Sequence, residues 1–389
     1  MILVEAALGK IFDLITPLPS EQVALADAAG RVLAEPAVAK RDQPPFAASA
    51  MDGYAARAQD AKAGQTLKLI GSSAAGHGFS GSVSKGQTVR IFTGAPVPTG
   101  ADTVIIQEDV TTQGDLITIA AAQNNTNIRP QAADFSIGTR LSSPRLLGPS
   151  DVALLASMNI PTVTVTRRPI IALLATGDEL VMPGDTPGPD QIIASNSFGL
   201  AALARQAGAT VRLLPISRDT PESLKAAFSL AADADLIITI GGASVGDHDI
   251  VADVADSLGG KRSFYKIAMR PGKPLMAGTL GKSLHLGFPG NPVSSMVCGH
   301  IFMVPALNAL LGLPCKPAPR LRATVTCDIA ENGPREHYMR ARLIGADITP
   351  FDQQDSALSG LLAQSNALLI RPPQSGAIPR GTSVDYIPI

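Results

Sequence analysis

The chain has 389 residues, enough for two to four domains with a sizeable core each, and its 45% hydrophobic and 17% charged content with 36 Gly and 31 Pro describes a globular protein with many loops. A net charge of −1 supplies no basic field, which argues against nucleic acid as a partner. The three cysteines, Cys298, Cys315 and Cys327, are too scattered for a disulfide framework or a zinc site and fit a reducing cytoplasm, and Glu5 interrupts what an export signal would need, so none is expected.

Residues 1–35 carry two amphipathic patterns, Ile2 to Ile15 and Val23 to Leu33, which predict two helices, the second capped at Ser20. From about Lys40 the texture changes to short β-type runs at 66–70, 88–92, 103–107 and 116–119, separated by Gly, Pro and Ser, which predicts a small all-β domain. Two of its loops, SAMDGYA (49–55) and FTGAPVPTGAD (92–102), hold polar clusters that by themselves read as turns. Residues 151–158 predict a helix capped at Ser150, followed by a strand at 162–165.

Residues 169–314 alternate strand and helix, the pattern of a parallel-rich sheet covered on both faces. Asp219-Thr220-Pro221-Glu222 marks a helix start, with Thr220 as cap and Pro221 at the first position. In such sheets ligands bind beyond the carboxyl ends of the strands. Three polar clusters fall there: TGDEL (176–180), GGASVGDHD (241–249) and RPGKP (270–274).

Leu236–Ile240 reads as a strand buried on both faces and ending at Gly241 and Gly242, which admit positive φ and close approach of a ligand. The loop matches neither GxGxxG nor GxxxxGK[ST]. Its amides suit an anion, whereas Asp247 and Asp249 repel a bare phosphate, and a Mg²⁺ ion between carboxylate and phosphate resolves that conflict. GFPGNPVSS (287–295) introduces a helix, and 291–311 has the length of a membrane span. Asn291, Ser294, Ser295, His300, Asn308 and Pro305 make it a buried core helix instead, so no membrane is expected. Residues 315–389 return to strands at 321–327, 338–343, 367–370 and 382–386, predicting a small β-barrel.

GGASVGDHD, RPGKP and GFPGNPVS together resemble the molybdopterin molybdenumtransferase family, the MoeA-type enzymes to which the C-terminal domain of gephyrin also belongs. SAMDGYA and TGAPVPTGAD extend the resemblance to the β domain. REHYMRARL, with Tyr338 in the aromatic place, and the loop containing Ser356 extend it to the C-terminal region. The resemblance implies a multidomain α/β plus β protein. An elongated helical and strand linker domain (1–37 and 136–168) would carry an inserted small β domain (38–135). An α/β/α molybdopterin-binding domain (169–314) and a C-terminal β-barrel (315–389) would follow.

It also implies a reaction: adenylyl-molybdopterin and molybdate give molybdenum cofactor and AMP, with Mg²⁺. Asp52, Asp178, Glu179, Asp249 and Lys273 would be catalytic, with Asp249, Asp178 and Glu179 as metal-holding carboxylates. Thr93, Thr176, Gly241, Gly242, Ser244, Gly246, Arg270, Pro289, Asn291, Pro292 and Ser356 would bind substrate, Arg270 facing molybdate. A cytoplasmic homodimer sharing its cleft is implied, with the molybdopterin adenylyltransferase and other molybdenum-cofactor proteins as candidate partners.

The chain departs from the family at Arg270 (usually Lys), Ala194 (usually Asp), Ala132 and Ala133 (usually Gly-Glu) and Asp355 (usually Gly). Arg for Lys exchanges a point charge for a planar fork. Two alternatives stay open: a non-catalytic pterin-binding scaffold of the same fold, and the neighbouring adenylyltransferase step. Retained Asp178, Asp249 and Lys273 speak against the first, the additional domains against the second.

Overall fold

The computed structural model describes residues 1–242 and 250–389. It divides into two compact units, one formed by Met1–Glu21, Gly30–Ala34 and Val165–Ile389, the other by Gln22–Ala29 and Glu35–Thr164.

In the larger unit the apolar runs Ile170–Ala175 and Leu236–Ile240 are neighbouring parallel strands, with Leu173 opposite Ile238. Period-two alternation divides their side chains between two cores: Ile171, Leu173, Leu236 and Ile238 enter one, Ala172, Leu174 and Ile237 the other. Neither face is left for water, which is why these strands read as continuous hydrophobic runs. The six-stranded sheet has the order Thr210–Leu213, Ile170–Ala175, Leu236–Ile240, Ser283–Phe288, Met276–Leu280, Lys261–Tyr265. Its first four strands are parallel, and Met276–Leu280 runs against both of its neighbours. Lys261–Tyr265 consequently runs in the parallel direction, and its carboxyl end lies at the same sheet edge as those of Ile170–Ala175 and Leu236–Ile240.

Helices cover both faces. Asn196–Gln206 places Leu200, Ala201 and Ala204 on one core, and Pro221–Leu230 places Leu224, Ala227 and Phe228 on the other. Thr220 caps the latter by accepting the Ser223 N–H at 3.3 Å, with Pro221 in the first turn as expected. The apolar segment Pro292–Leu310 is a 19-residue helix, 78% buried, so its hydrophobicity faces protein. A π-helical turn at Gly299–Met303 interrupts it. A side chain on Gly299 would stand 2.7 Å from Leu200 Cδ2, so the two helices approach through the bare backbone of that residue.

The C-terminal strands Glu336–Ile344, Asp347–Pro350, Leu321–Val325, Ser383–Pro388 and Ala367–Arg371 pair in that order. The last returns to the first through His337↔Arg371 to Ala341↔Ala367, closing a five-stranded barrel. Met269–Arg270, from the α/β segment, adds to this barrel by parallel pairing with Glu336 and His337.

The smaller unit is all β apart from short helical pieces, as expected. Its six-stranded sheet has the order Thr103–Ile106, Gly53–Ala56, Gln87–Ile91, Thr66–Ser73, Leu116–Ile119, Val110–Gln113. Two expectations fail. Val4–Phe12 is the first predicted helix, but the second is replaced by the strand Ser20–Ala24, a 3₁₀ turn Leu25–Asp27 and the strand Val32–Leu33. Gly30 at φ 73° ends any helical continuation, and Ser20 opens a strand instead of capping a helix. The helix Pro149–Ser157 starts before the expected Ser150 cap, with Gly148 at the cap position; the Asp151 carboxylate reaches back to accept the Gly148 N–H at 2.9 Å.

Candidate active site at the carboxyl edge of the sheet

The strands Ile170–Ala175 and Leu236–Ile240 end at a cleft of about 810 Å³ lined by Thr176, Glu179, Asp219, Gly241, Gly242 and Asn291, among others. Gly241 and Gly242 have φ of 91° and 66°. A side chain on Gly241 would stand 2.6 Å from the Thr176 carbonyl oxygen, and one on Gly242 would run into Val251 Cγ2. Only glycine therefore lets the chain turn here and keep its backbone against the cleft. Thr176, 2% exposed, has a hydroxyl without a hydrogen-bond partner among the described residues. An unpaired buried hydroxyl costs about 1–3 kcal/mol.

Carboxylates gather on one side. Asp178 accepts the Asp219 N–H at 3.4 Å, and Glu179 and Asp219 both line the cleft. Burial, and then the nearby charges of Asp178 and Glu179, hold the Asp219 carboxyl above its ordinary pKa. In the sequence Asp219 stands only as the approach to a capped helix. The available signal is its place after Thr210–Leu213, whose carboxyl end meets the same sheet edge as TGDEL.

The opposite wall is built by the segment entering Pro292–Cys298. Asn291 occupies the cap position, yet its side chain makes no capping bond and instead donates through Nδ2 to Ser356 Oγ at 2.9 Å. The Val293 N–H donates to the Ser356 carbonyl at 3.0 Å. Two of the expected binding residues, Asn291 and Ser356, are thus brought together from the α/β segment and the C-terminal segment. Pro292 also lines the cleft, while Pro289 is buried in the turn behind it. Asn196 closes the rim by donating through Nδ2 to the Gly290 carbonyl at 2.6 Å. Ala194, where the family pattern has a carboxylate, contributes a small apolar surface to the same wall.

Arg270 and Lys273 lie in the turn after Lys261–Tyr265 and do not line the 810 Å³ cleft. Arg270 is exposed beside the barrel strand, and the Lys273 carbonyl accepts the Ile267 N–H at 3.0 Å. Asp52 and Thr93 belong to the smaller unit, where the Thr93 N–H and hydroxyl both donate to Asp52 Oδ1, at 2.7 and 2.8 Å. Those two donors, with a smaller contribution from Arg90, hold the Asp52 carboxyl below its ordinary pKa. Ser244, Gly246, Asp247 and Asp249 lie outside the described residues.

Among the described residues no three His, Cys, Asp or Glu side chains are gathered into a metal cage. Glu179 and Asp219 are hard oxygen donors on the cleft wall, with Asp178 near enough for its charge to act on Asp219. That chemistry fits Mg²⁺, which takes one or two protein carboxylates and completes its octahedron with phosphate oxygens and water.

Three family descriptions match the chain in succession: "MoeA N-terminal region (domain I and II)" over residues 2–159, "Probable molybdopterin binding domain" over 172–309 and "MoeA C-terminal region (domain IV)" over 322–389. A molybdopterin molybdenumtransferase of Nostoc sp. is 37% identical over 93% of this chain and 88% of its own length. One of Haemophilus influenzae is 33% identical over 100% and 98%. The crystal structure of the molybdopterin biosynthesis MoeA protein from Pyrococcus horikoshii superposes with a TM-score of 0.86 at 26% identity, covering 100% of both chains. Motif, fold and full-length similarity agree, and the chain belongs to the molybdopterin molybdenumtransferase family.

Proposed function

We infer that this protein inserts molybdenum in molybdenum cofactor biosynthesis, taking adenylyl-molybdopterin and molybdate to the molybdenum-loaded pterin and AMP. The observation that carries this reading is the convergence of Thr176, Glu179, Asp219, Gly241, Gly242 and Asn291 on one cleft at the carboxyl ends of the strands, in a chain of the molybdopterin molybdenumtransferase family. A pyrophosphate lying along the glycine backbone would rest against Gly241, Gly242 and Thr176, with the amino end of Pro292–Cys298 and the Asn291 side chain also on the cleft. Mg²⁺, when bound, would neutralise the pyrophosphate oxygens against the carboxylates. Asp178, Glu179, Asp219 and Asp249 are the carboxylates from which one or two would hold it.

Arg270 is assigned to the oxyanion, offering two parallel N–H donors to a molybdate edge, and Lys273 to the pyrophosphate. The chain is organised in four domains, 1–37 with 136–168, 38–135, 169–314 and 315–389. Asp52 and Thr93 are assigned to the same reaction through a homodimer in which each cleft draws on two subunits. The protein is placed in the cytoplasm, receiving its pterin from the molybdopterin adenylyltransferase.

Incubating the purified protein with adenylyl-molybdopterin, Mg²⁺ and molybdate tests this reading. Molybdate-dependent release of AMP supports it; ATP-dependent adenylation of molybdopterin would instead identify the neighbouring step, and binding without turnover a scaffold. Mixing Asp52→Ala with Asp249→Asn subunits should restore activity if the cleft is shared, and a monomer by light scattering at micromolar concentration would exclude it.

A further inference from the structure

Asp52 sits where three strands of the smaller unit end side by side. Gly53–Ala56 runs antiparallel to both Gln87–Ile91 and Thr103–Ile106. The residue before the first, Asp52, therefore meets the residues just beyond the other two, Thr93 and Gln107. The Gln107 N–H donates to the Asp52 carbonyl at 3.1 Å, and Thr93 grips the carboxylate.

One side chain ties these ends together. Arg90 stands opposite Tyr54 in the register, and its guanidinium lies over the Tyr54 ring at 5.0 Å and the Phe92 ring at 4.9 Å. Its Nη1 donates to the Gly53 carbonyl at 3.1 Å and its Nη2 to Gln107 Oε1 at 2.6 Å. The planar fork thus holds the residue after Asp52 and the residue paired across from it, while two aromatic faces fix the plane of the fork. Gly53 leaves no alternative path, because a side chain there would run into the Ile105 carbonyl. The clamp reaches from the core to the surface: Tyr54 belongs to the core of the unit, Arg90 is half-buried, and Phe92, Thr93 and Gln107 are exposed.

We propose that Arg90 is a positioning residue for the molybdenum-insertion reaction, clamping three strand ends so that the Asp52 carboxylate is presented in one orientation. The inference rests on the functional reading above, in which Asp52 takes part. A compact ammonium supplies charge without the fork, so Arg90→Lys should behave like a loss of the clamp and not like a conservative change.

The test combines turnover with the titration of Asp52, followed by NMR of ¹³C-labelled aspartate in the full-length protein. Arg90→Met should lower kcat about tenfold or more, since small displacements of a reacting group carry penalties of that order. The midpoint of Asp52 should rise in the same variant as its Thr93 donors loosen, and Arg90→Lys should restore neither. Gln107→Leu, which removes one arm of the clamp without disturbing the aromatic stack, should shift both readouts in the same direction and serves if Arg90→Met does not fold. An unmoved Asp52 midpoint, or unchanged kcat, in a folded variant overturns the proposal. Absence of molybdate-dependent AMP release from the parent protein defeats the functional reading instead, and the Asp52 midpoint still decides whether Arg90 holds the carboxylate.

Discussion

Thr176 and Asp219 each carry a polar group that the described residues leave poorly compensated. The Thr176 hydroxyl has no partner among the described residues, so Thr176→Val replaces a buried unpaired polar group by an isosteric methyl. The free protein should keep or gain about 1 kcal/mol in urea unfolding, while affinity for adenylyl-molybdopterin falls; a variant that loses stability without losing affinity would make the hydroxyl structural. Burial, and then the charges of Asp178 and Glu179, oppose ionisation of Asp219. Asp219→Asn should therefore raise the melting temperature at neutral pH and abolish Mg²⁺-dependent AMP release, the exchange of stability for activity expected at a functional site. Unchanged turnover at saturating Mg²⁺ would remove Asp219 from the machinery. Neither feature is written in a motif: TGDEL can be read from spacing, but the orphaned hydroxyl and the approach of Asp219 to Asp178 exist only once two strands have brought their ends together.

At the level of elements, Ile170–Ala175 and Leu236–Ile240 are legible to the residue, because a strand buried on both faces is an unbroken apolar run closed by glycine or threonine. The Thr220 cap is legible for the same local reason. Direction and partner are not local. Nothing in the period of Met276–Leu280 announces that it runs against its neighbours, and Asp347–Pro350 is too short and too polar to be read as a barrel strand. Val23 to Leu33 misleads because its apolar spacing suits a helix, while Gly30 and the pairing of Leu33 with Val165 decide for strands. The glycine turn after Leu236–Ile240 carries a prediction at this scale. Gly242→Ala combines a positive φ with a collision against Val251 and should cost about 1–3 kcal/mol in urea unfolding. Adding Val251→Ala should relieve the closer collision but neither the 2.9 Å approach to Thr176 Oγ1 nor the backbone strain. A Gly242→Ala protein as stable as its parent would mean that the turn is free to rearrange.

For the molecule as a whole, three histidines contribute to the response to acid. His285, His300 and His337 are held neutral, each lowered from 6.5 to about 4, by burial foremost. His337 is also lowered by Arg270 and three further arginines. Because the unfolded chain binds these protons more readily, stability is full above about pH 6.5 and is lost as the pH falls towards 4. Fully buried His285 alone should contribute a slope of roughly 1.4 kcal/mol per pH unit in that interval. Urea midpoints at pH 7.5 and 5 should differ accordingly, and His285→Asn should flatten the difference; equal midpoints would mean that the imidazoles are protonated in the fold. The two-residue strand Met269–Arg270 acts at the same scale. It leaves the α/β segment to pair with Glu336 and His337, and the Glu336 N–H donates to the Ala268 carbonyl at 2.9 Å. Heat entering the barrel must therefore unzip the turn that carries Arg270. Calorimetry should record one endotherm for the α/β segment and the barrel, with equal calorimetric and van't Hoff enthalpies for that transition, and a chain cut after Pro314 should melt earlier with its Arg270 turn unmoored.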